Sequence, residues 1–246
     1  MRSGFTIWRR EVESGFLSPV AYVVIVLFLA LCGTFFLKLA EEYSGTAESL
    51  QSLLFSVMVF GWLPVLTTVV TMRTFAEEKQ QGTMETLLTA PVTEAEVVLG
   101  KYAGALTFLL LVTLPAFAAM FILIYLSPGL SLAKMDWGQL AGSTLFYILI
   151  ASNCTAIGVF VSLLTRRQVV AGVACAVGVL IPLYGWMVAE NTAFLPRVVV
   201  DYLSVKNHIL TFSRGLVDSR PIVLYVSTTV FLLFASIRVL EIRRWR

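Results

Sequence analysis

Residues 72–101 read MRTFAEEKQQGTMETLLTAPVTEAEVVLGK. This polar, helix-prone stretch interrupts two long apolar segments. Hydrocarbon cannot solvate its Glu, Lys and Gln side chains, so if the flanking segments cross a membrane the stretch must lie on one membrane face. Reading outward from it, six segments are apolar over the roughly 20 residues that a bilayer crossing needs. They run over approximately 20–38, 53–72, 98–126, 138–164, 168–188 and 221–238. Only 13% of the residues are charged and the mean hydropathy is +0.87, against roughly 25% charged in a soluble domain. The links between segments are short and leave no room for a soluble catalytic domain. The expected fold is therefore all-α: one polytopic membrane domain over 1–246, with six transmembrane helices.

Lys and Arg set the orientation. With the N-terminus in the cytoplasm, the inside set is Arg2, Arg9, Arg10, Arg73, Lys79, Lys101, Arg166, Arg167, Arg238, Arg243, Arg244 and Arg246. The outside set is Lys38, Lys134, Arg197, Lys206, Arg214 and Arg220. The 12-to-6 division of the 18 basic residues predicts both termini inside. The net charge of +3 then reflects topology. A basic patch interleaved with aromatics, which nucleic acid would need, is missing from the sequence.

Ahead of the first span, Phe5, Trp8, Val12 and Phe16 recur at helical spacing among Arg9, Arg10, Glu11 and Glu13. That pattern predicts an amphipathic helix over 1–18 lying in the membrane interface and ending near Pro19. Glu11 and Glu13 spoil a basic signal-peptide region, and Leu31 occupies the place a lipoprotein cleavage box needs for a small residue. The first span is expected to be retained.

The residues exclude several chemistries. No P-loop occurs, so the chain has no ATPase site of its own. It has one His, His208, and no GxSxG or HExxH pattern, so neither hydrolysis nor a metal is expected. Cys32, Cys154 and Cys175 fall inside spans without CxxC spacing and read as packing residues. Acidic residues gather at span ends, which leaves no relay for an ion-coupled carrier. A transporter with neither ion relay nor ATPase draws its energy from a partner. The other readings are a non-transporting membrane scaffold or assembly subunit and, less favoured, an ion-coupled carrier.

Within the insert, Gly82 is placed to end the helix that continues from span two. Residues 83–90 can form a short helix with Met84, Leu87 and Leu88 on one face and Glu85 beside them. Pro91 stops it. Thr93 and Glu96 form a capping box that starts span three. Such a short helix suits a groove on a partner protein, or serves as a connector on the lipid surface.

The pattern R-x-F-A-E-E-K-x-x-G-T-x-E-x-L-L-x-x-P within RTFAEEKQQGTMETLLTAPVTEAEVVLGKYAGAL (73–106) resembles the signature region of ABC-2-type exporter permeases. The resemblance implies a cytoplasmic coupling helix, within a coupling region at 73–97, that docks on a separate ABC ATPase. Glu77, Glu78, Gly82, Thr83, Glu85, Leu87, Leu88 and Pro91 match that region, and Met84 to Leu88 would enter a cleft on the ATPase. It also implies ATP and Mg on the partner and none in this chain, and a second permease half, identical or not. Further implications are a bacterial inner-membrane location with membrane lipid around the spans, and export or envelope work, with an auxiliary envelope protein as a candidate partner. The late segment HILTFSRGLVDSRPIVLYVS (208–227) is similar to the gliding-motility-associated branch.

Other features stay open between two readings. Pro64, Pro115 and Pro182 either gate a substrate path or merely kink helices. Asn153, with Ser152 and Thr155, either lines a path or bonds neighbouring helices. Gly100/Gly104 and Ala174/Gly178 serve either a dimer contact or packing within one chain. Segment 189–219, too apolar for a free loop, is expected to form short helices, re-entrant or interfacial, on the outer side.

Overall fold

In hydrocarbon every backbone N–H and C=O must find an internal partner, and the α-helix provides one residue by residue. The computed structural model describes residues 2–17, 19–42, 47–82, 92–126, 137–192 and 196–244. Among them every regular element is helical. In chain order these are α1 (Arg2–Leu17), α2 (Pro19–Glu42), α3 (Ala47–Val57), a π-helical turn (Met58–Trp62), α4 (Leu63–Thr71) and α5 (Ala76–Gln81). After the insert come α6 (Glu94–Leu126), α7 (Trp137–Leu164), α8 (Gln168–Thr192), α9 (Arg197–Leu203), α10 (Val205–Ser213) and α11 (Ser219–Arg244).

Among the described residues five runs are long and apolar enough to cross a membrane: Gln51–Gln81, Glu94–Ala119, Trp137–Leu164, Gln168–Glu190 and Ser219–Ile242. A sixth is counted if Gly4–Leu17 and Tyr22–Lys38, which meet at 70°, make one bent span. The protein is thus an all-helical polytopic membrane protein, and the expected first span at 20–38 falls on α2.

Span two shows how sequence bends a helix. Pro64 has no N–H to return to the carbonyl of Phe60, four residues earlier. The helix widens there: the Leu63 N–H reaches back five residues to Met58. The Tyr184 hydroxyl, from α8, donates to the Phe60 carbonyl at 2.6 Å. A side chain on a neighbouring helix thereby satisfies the acceptor that proline left open.

The central helix is α7. Its buried residues, from Leu140 to Leu163, lie on every side, and it packs against α4, α6, α8, α10 and α11. Lipid supplies no hydrophobic drive between helices, so close backbone approach carries the packing. Gly158 allows it: a Cβ there would sit 2.1 Å from Thr71 Oγ1. Gly142 does the same for α10, since its Cβ would fall 2.5 Å from the Phe212 carbonyl oxygen.

Helix α1 runs in step along the first turns of α6. Ile7 lies against Gly100, Glu11 against Gly104 and Gly15 against Phe108, and Trp8 Nε1 donates to Thr107 Oγ1 at 3.1 Å. The expected stripe therefore divides. Trp8 and Phe16 meet α6, whereas Phe5 is 62% exposed. Gly100 and Gly104 serve this intrachain contact, and Gly178 packs against Ile157 and Val161 of α7.

In segment 189–219, Ser204 caps α10 by accepting from the Asn207 N–H at 3.4 Å. Val205, Ile209 and Phe212 of α10 enter the main core beside Phe146 and Tyr147.

Candidate functional site

Span two does not pass smoothly into the insert. Helix α4 ends at Thr71, residues 72–75 form a turn, and α5 resumes at Ala76. A turn at this depth exposes backbone groups that need partners. Ser162 Oγ on α7 accepts from both the Phe75 and the Ala76 N–H, each at 3.2 Å. Lys101 Nζ on α6 donates to the Thr74 carbonyl at 2.7 Å. The Phe75 side chain is fully buried among Val97, Val98, Val159 and Leu163.

The next turn is held as firmly. Lys79 Nζ donates to the carbonyls of Leu163 and Thr165. These are terminal acceptors of α7, where the helix dipole favours a cation. Gln80 Oε1 accepts from the Gln168 N–H at 3.4 Å, at the start of α8. Gly82 then ends α5 in the left-handed conformation, φ 73°, with its N–H directed to Glu78 and Lys79. Only glycine takes that conformation without penalty. The start of the insert is thus fastened to α6, α7 and α8 by side-chain and backbone bonds.

Lys101 is the hub. It is 3% exposed and pairs with Glu78 of α5 at 2.8 Å and Glu11 of α1 at 3.3 Å. Its ammonium also lies 5.2 Å from the centre of the Phe75 ring. Two carboxylates, a carbonyl and an aromatic face offset the cost of burying the ammonium. Burial pushes the Glu11 carboxyl above its ordinary value, Lys101 pulls it down, and Glu78 adds to the rise. The constellation has no nucleophile–base pair, and among the described residues no group of metal-ligating side chains occurs. It ties α1 to α5, to the start of α6 and to the turn at 72–75.

On the far side of the insert, the Thr93 N–H donates to Glu96 Oε2 at 3.2 Å and the Glu96 N–H donates to Thr93 Oγ1 at 3.3 Å. This reciprocal pair opens α6. Of the residues assigned to ATPase coupling, Glu77, Glu78 and Gly82 stand on α5 or at its end. Thr83, Met84, Glu85, Leu87, Leu88 and Pro91 lie outside the described residues.

The other candidates are dispersed. The Asn153 amide donates to Thr228 Oγ1 at 2.5 Å and to Thr229 Oγ1 at 3.4 Å, bonding α7 to α11. Ser152 Oγ lies 2.6 Å from the Tyr102 hydroxyl, and Thr155 bonds back to Ala151 on its own helix. Pro64 borders the π-helical turn, while Pro115 and Pro182 lie inside α6 and α8.

Sequence reading missed Glu11, Lys79, Gln80, Lys101 and Ser162 as a group. One signal was available: Lys101 stands in VVLGKYAGAL, a lone ammonium in an apolar helix that must find a carboxylate. Nothing in the sequence said which one, because Glu11 is ninety residues away.

Residues 6–194 match the family model described as ABC-2 family transporter protein. No curated protein matches the chain.

Proposed function

Since the chain belongs to the ABC-2 family of transporter proteins, as a transmembrane permease component whose family implies an ABC ATPase partner, we propose that the insert at 72–101 is where the partner's ATP-driven motion enters the membrane. In this reading Met84, Leu87 and Leu88, with Glu85 beside them, dock in a groove on the ATPase. Glu77, Glu78, Gly82, Thr83 and Pro91 shape the approach to it. ATP and Mg are held by the partner, two permease halves assemble, and the complex exports a substrate or works on the envelope. Both termini face the cytoplasm of a bacterial inner membrane, which the 12-to-6 division of basic residues supports. The similarity of 208–227 to the gliding-motility branch suits envelope work; that segment lies beyond the matched residues.

The observation that carries the proposal is the fastening of α5. A segment that transmits force must be stiffly joined to what it moves. Bonds from Ser162, Lys101, Lys79 and Gln80 join it to spans three, four and five as well as to span two. A passive connector needs no such joints. The test is pull-down of the cognate ATPase by the permease, wild type against Glu85→Arg and Leu88→Asp, with membrane insertion confirmed for each. Both variants are expected to lose the ATPase, because an unpaired charge buried in a groove costs several kcal/mol, about 3–5. Undiminished binding by both would remove the docking assignment.

A further inference from the structure

A cavity of about 310 Å³ lies where α1, α2, α4, α5 and α6 come together, a volume at the lower end of the range for small-molecule sites, about 300–1,000 Å³. Its walls change character along their length. On α6 the lining runs from Lys101 past Phe108 and Leu109 to Val112. On α4 and α5 it runs from Glu77 and Arg73 to Val70, Val69 and Leu66. On α1 and α2 it runs from Arg10 and Glu11 to Val24 and Ile25. Three separate stretches of chain thus place charge at one end and aliphatic or aromatic carbon at the other. Lys101 to Val112 is eleven residues, about 16 Å of helix, close to half the roughly 30 Å hydrocarbon thickness of a bilayer.

We propose that this cavity is a lipid site, in which one acyl chain of a zwitterionic glycerophospholipid occupies the apolar depth and its headgroup sits at the charged mouth. The length suits a single leaflet. The mouth carries Arg10, Arg73 and Glu77, and behind them the buried Lys101 with its partners Glu11 and Glu78 adds one net negative charge, so the charges balance. That balance suits a head bearing both a phosphate and an amine, whereas an anionic head would call for a net positive mouth. The proposal stands on membrane insertion alone and does not depend on how the insert meets an ATPase.

The test uses the full-length permease in mild detergent, stripped of lipid. It is then offered phosphatidylethanolamine and phosphatidylglycerol of identical chains in equal amounts, and separately phosphoethanolamine without chains. Native mass spectrometry reads the adducts that survive collisional activation. Wild type is expected to keep one phosphatidylethanolamine and no free phosphoethanolamine. Ala105→Trp, which fills the slot from the α6 wall, should lose that adduct. Glu77→Lys, which leaves the slot open but makes the mouth net positive, should reverse the preference toward phosphatidylglycerol. The proposal is overturned if wild type keeps no lipid adduct, prefers phosphatidylglycerol, or takes the free headgroup as readily as the lipid. It is equally overturned if folded Ala105→Trp keeps the adduct or the preference of Glu77→Lys is unchanged. Should Ala105→Trp fail to elute as folded protein, wild type and Glu77→Lys decide the matter.

Discussion

Replacing Lys101 by methionine keeps the aliphatic stem and removes the ammonium. The consequences follow from its partners. Glu78 loses a cation at 2.8 Å, Glu11 loses one at 3.3 Å, and the Thr74 carbonyl loses its donor at 2.7 Å. Breaking a buried ion pair by deleting one member costs about 3–5 kcal/mol. The two glutamate side chains keep 23% and 24% of their exposure, so water offsets part of the loss and the lower end, about 3 kcal/mol, applies. For a chain of this length each kcal/mol moves the melting temperature by about 2–4 °C. Lys101→Met should therefore melt about 6–12 °C below wild type. The assay is built into the protein. Cys32, Cys154 and Cys175 are free and buried, so a thiol-reactive fluorophore lights up on unfolding. The triple variant Lys101→Met/Glu11→Gln/Glu78→Gln should recover much of the loss, because neutral amides leave no uncompensated charge. A single variant melting within about 2 °C of wild type, or a triple variant no more stable than the single, would refute the view of Lys101 as an electrostatic hub.

Two further outcomes are expected. Gly142→Ala should lower stability by roughly 1–3 kcal/mol, because its Cβ would meet the Phe212 backbone oxygen at 2.5 Å, whereas Gly185→Ala, with nothing within 4 Å, should not; thermal unfolding of the pair checks this. His208 Nδ1 lies 3.1 Å from the Tyr225 hydroxyl beside Phe146, and burial holds the imidazole below its ordinary value, against smaller upward pulls from the Tyr202 backbone and Asp218. The unfolded chain therefore binds the proton first. Stability is unaffected above the unfolded imidazole value, about 6.5, and declines as pH falls through it. Melting followed from pH 7.5 to 5.5 should drop more steeply for wild type than for His208→Phe, and parallel curves would contradict the sign.

Much of the architecture was legible in the chain itself, for reasons tied to particular residues. The apolar runs exceed a bilayer crossing, and lipid admits only helices there. Pro64 announces a disturbed helix because it lacks an N–H. Gly82 marks a helix end, and Thr93 and Glu96 mark a start, because those signals act within one turn. The pairing of Gly100 with Gly104 was visible as a close-contact surface, but its partner was not. It faces α1 of the same chain, which places a helix expected to rest on lipid against protein instead. Asn153 was visible as a polar group in need of partners, and they lie on α11, more than seventy residues away.

By itself the sequence determined the class of the molecule: helical, membrane-spanning and interrupted by one polar insert. Those features depend on local composition and spacing, which a linear chain displays in full. Only the tertiary structure decided that Glu11, Glu78 and Lys101 form one ion cluster. It also decided that Ser162 completes the backbone bonds of the turn at 72–75, and that the charged mouth and the apolar slot share one cavity. Each joins residues far apart in the chain. Polar groups withdrawn from water must pair with whatever the packing brings near, and helix packing, set by glycine contacts such as Gly104 on Glu11 and Gly158 on Thr71, determines which groups those are.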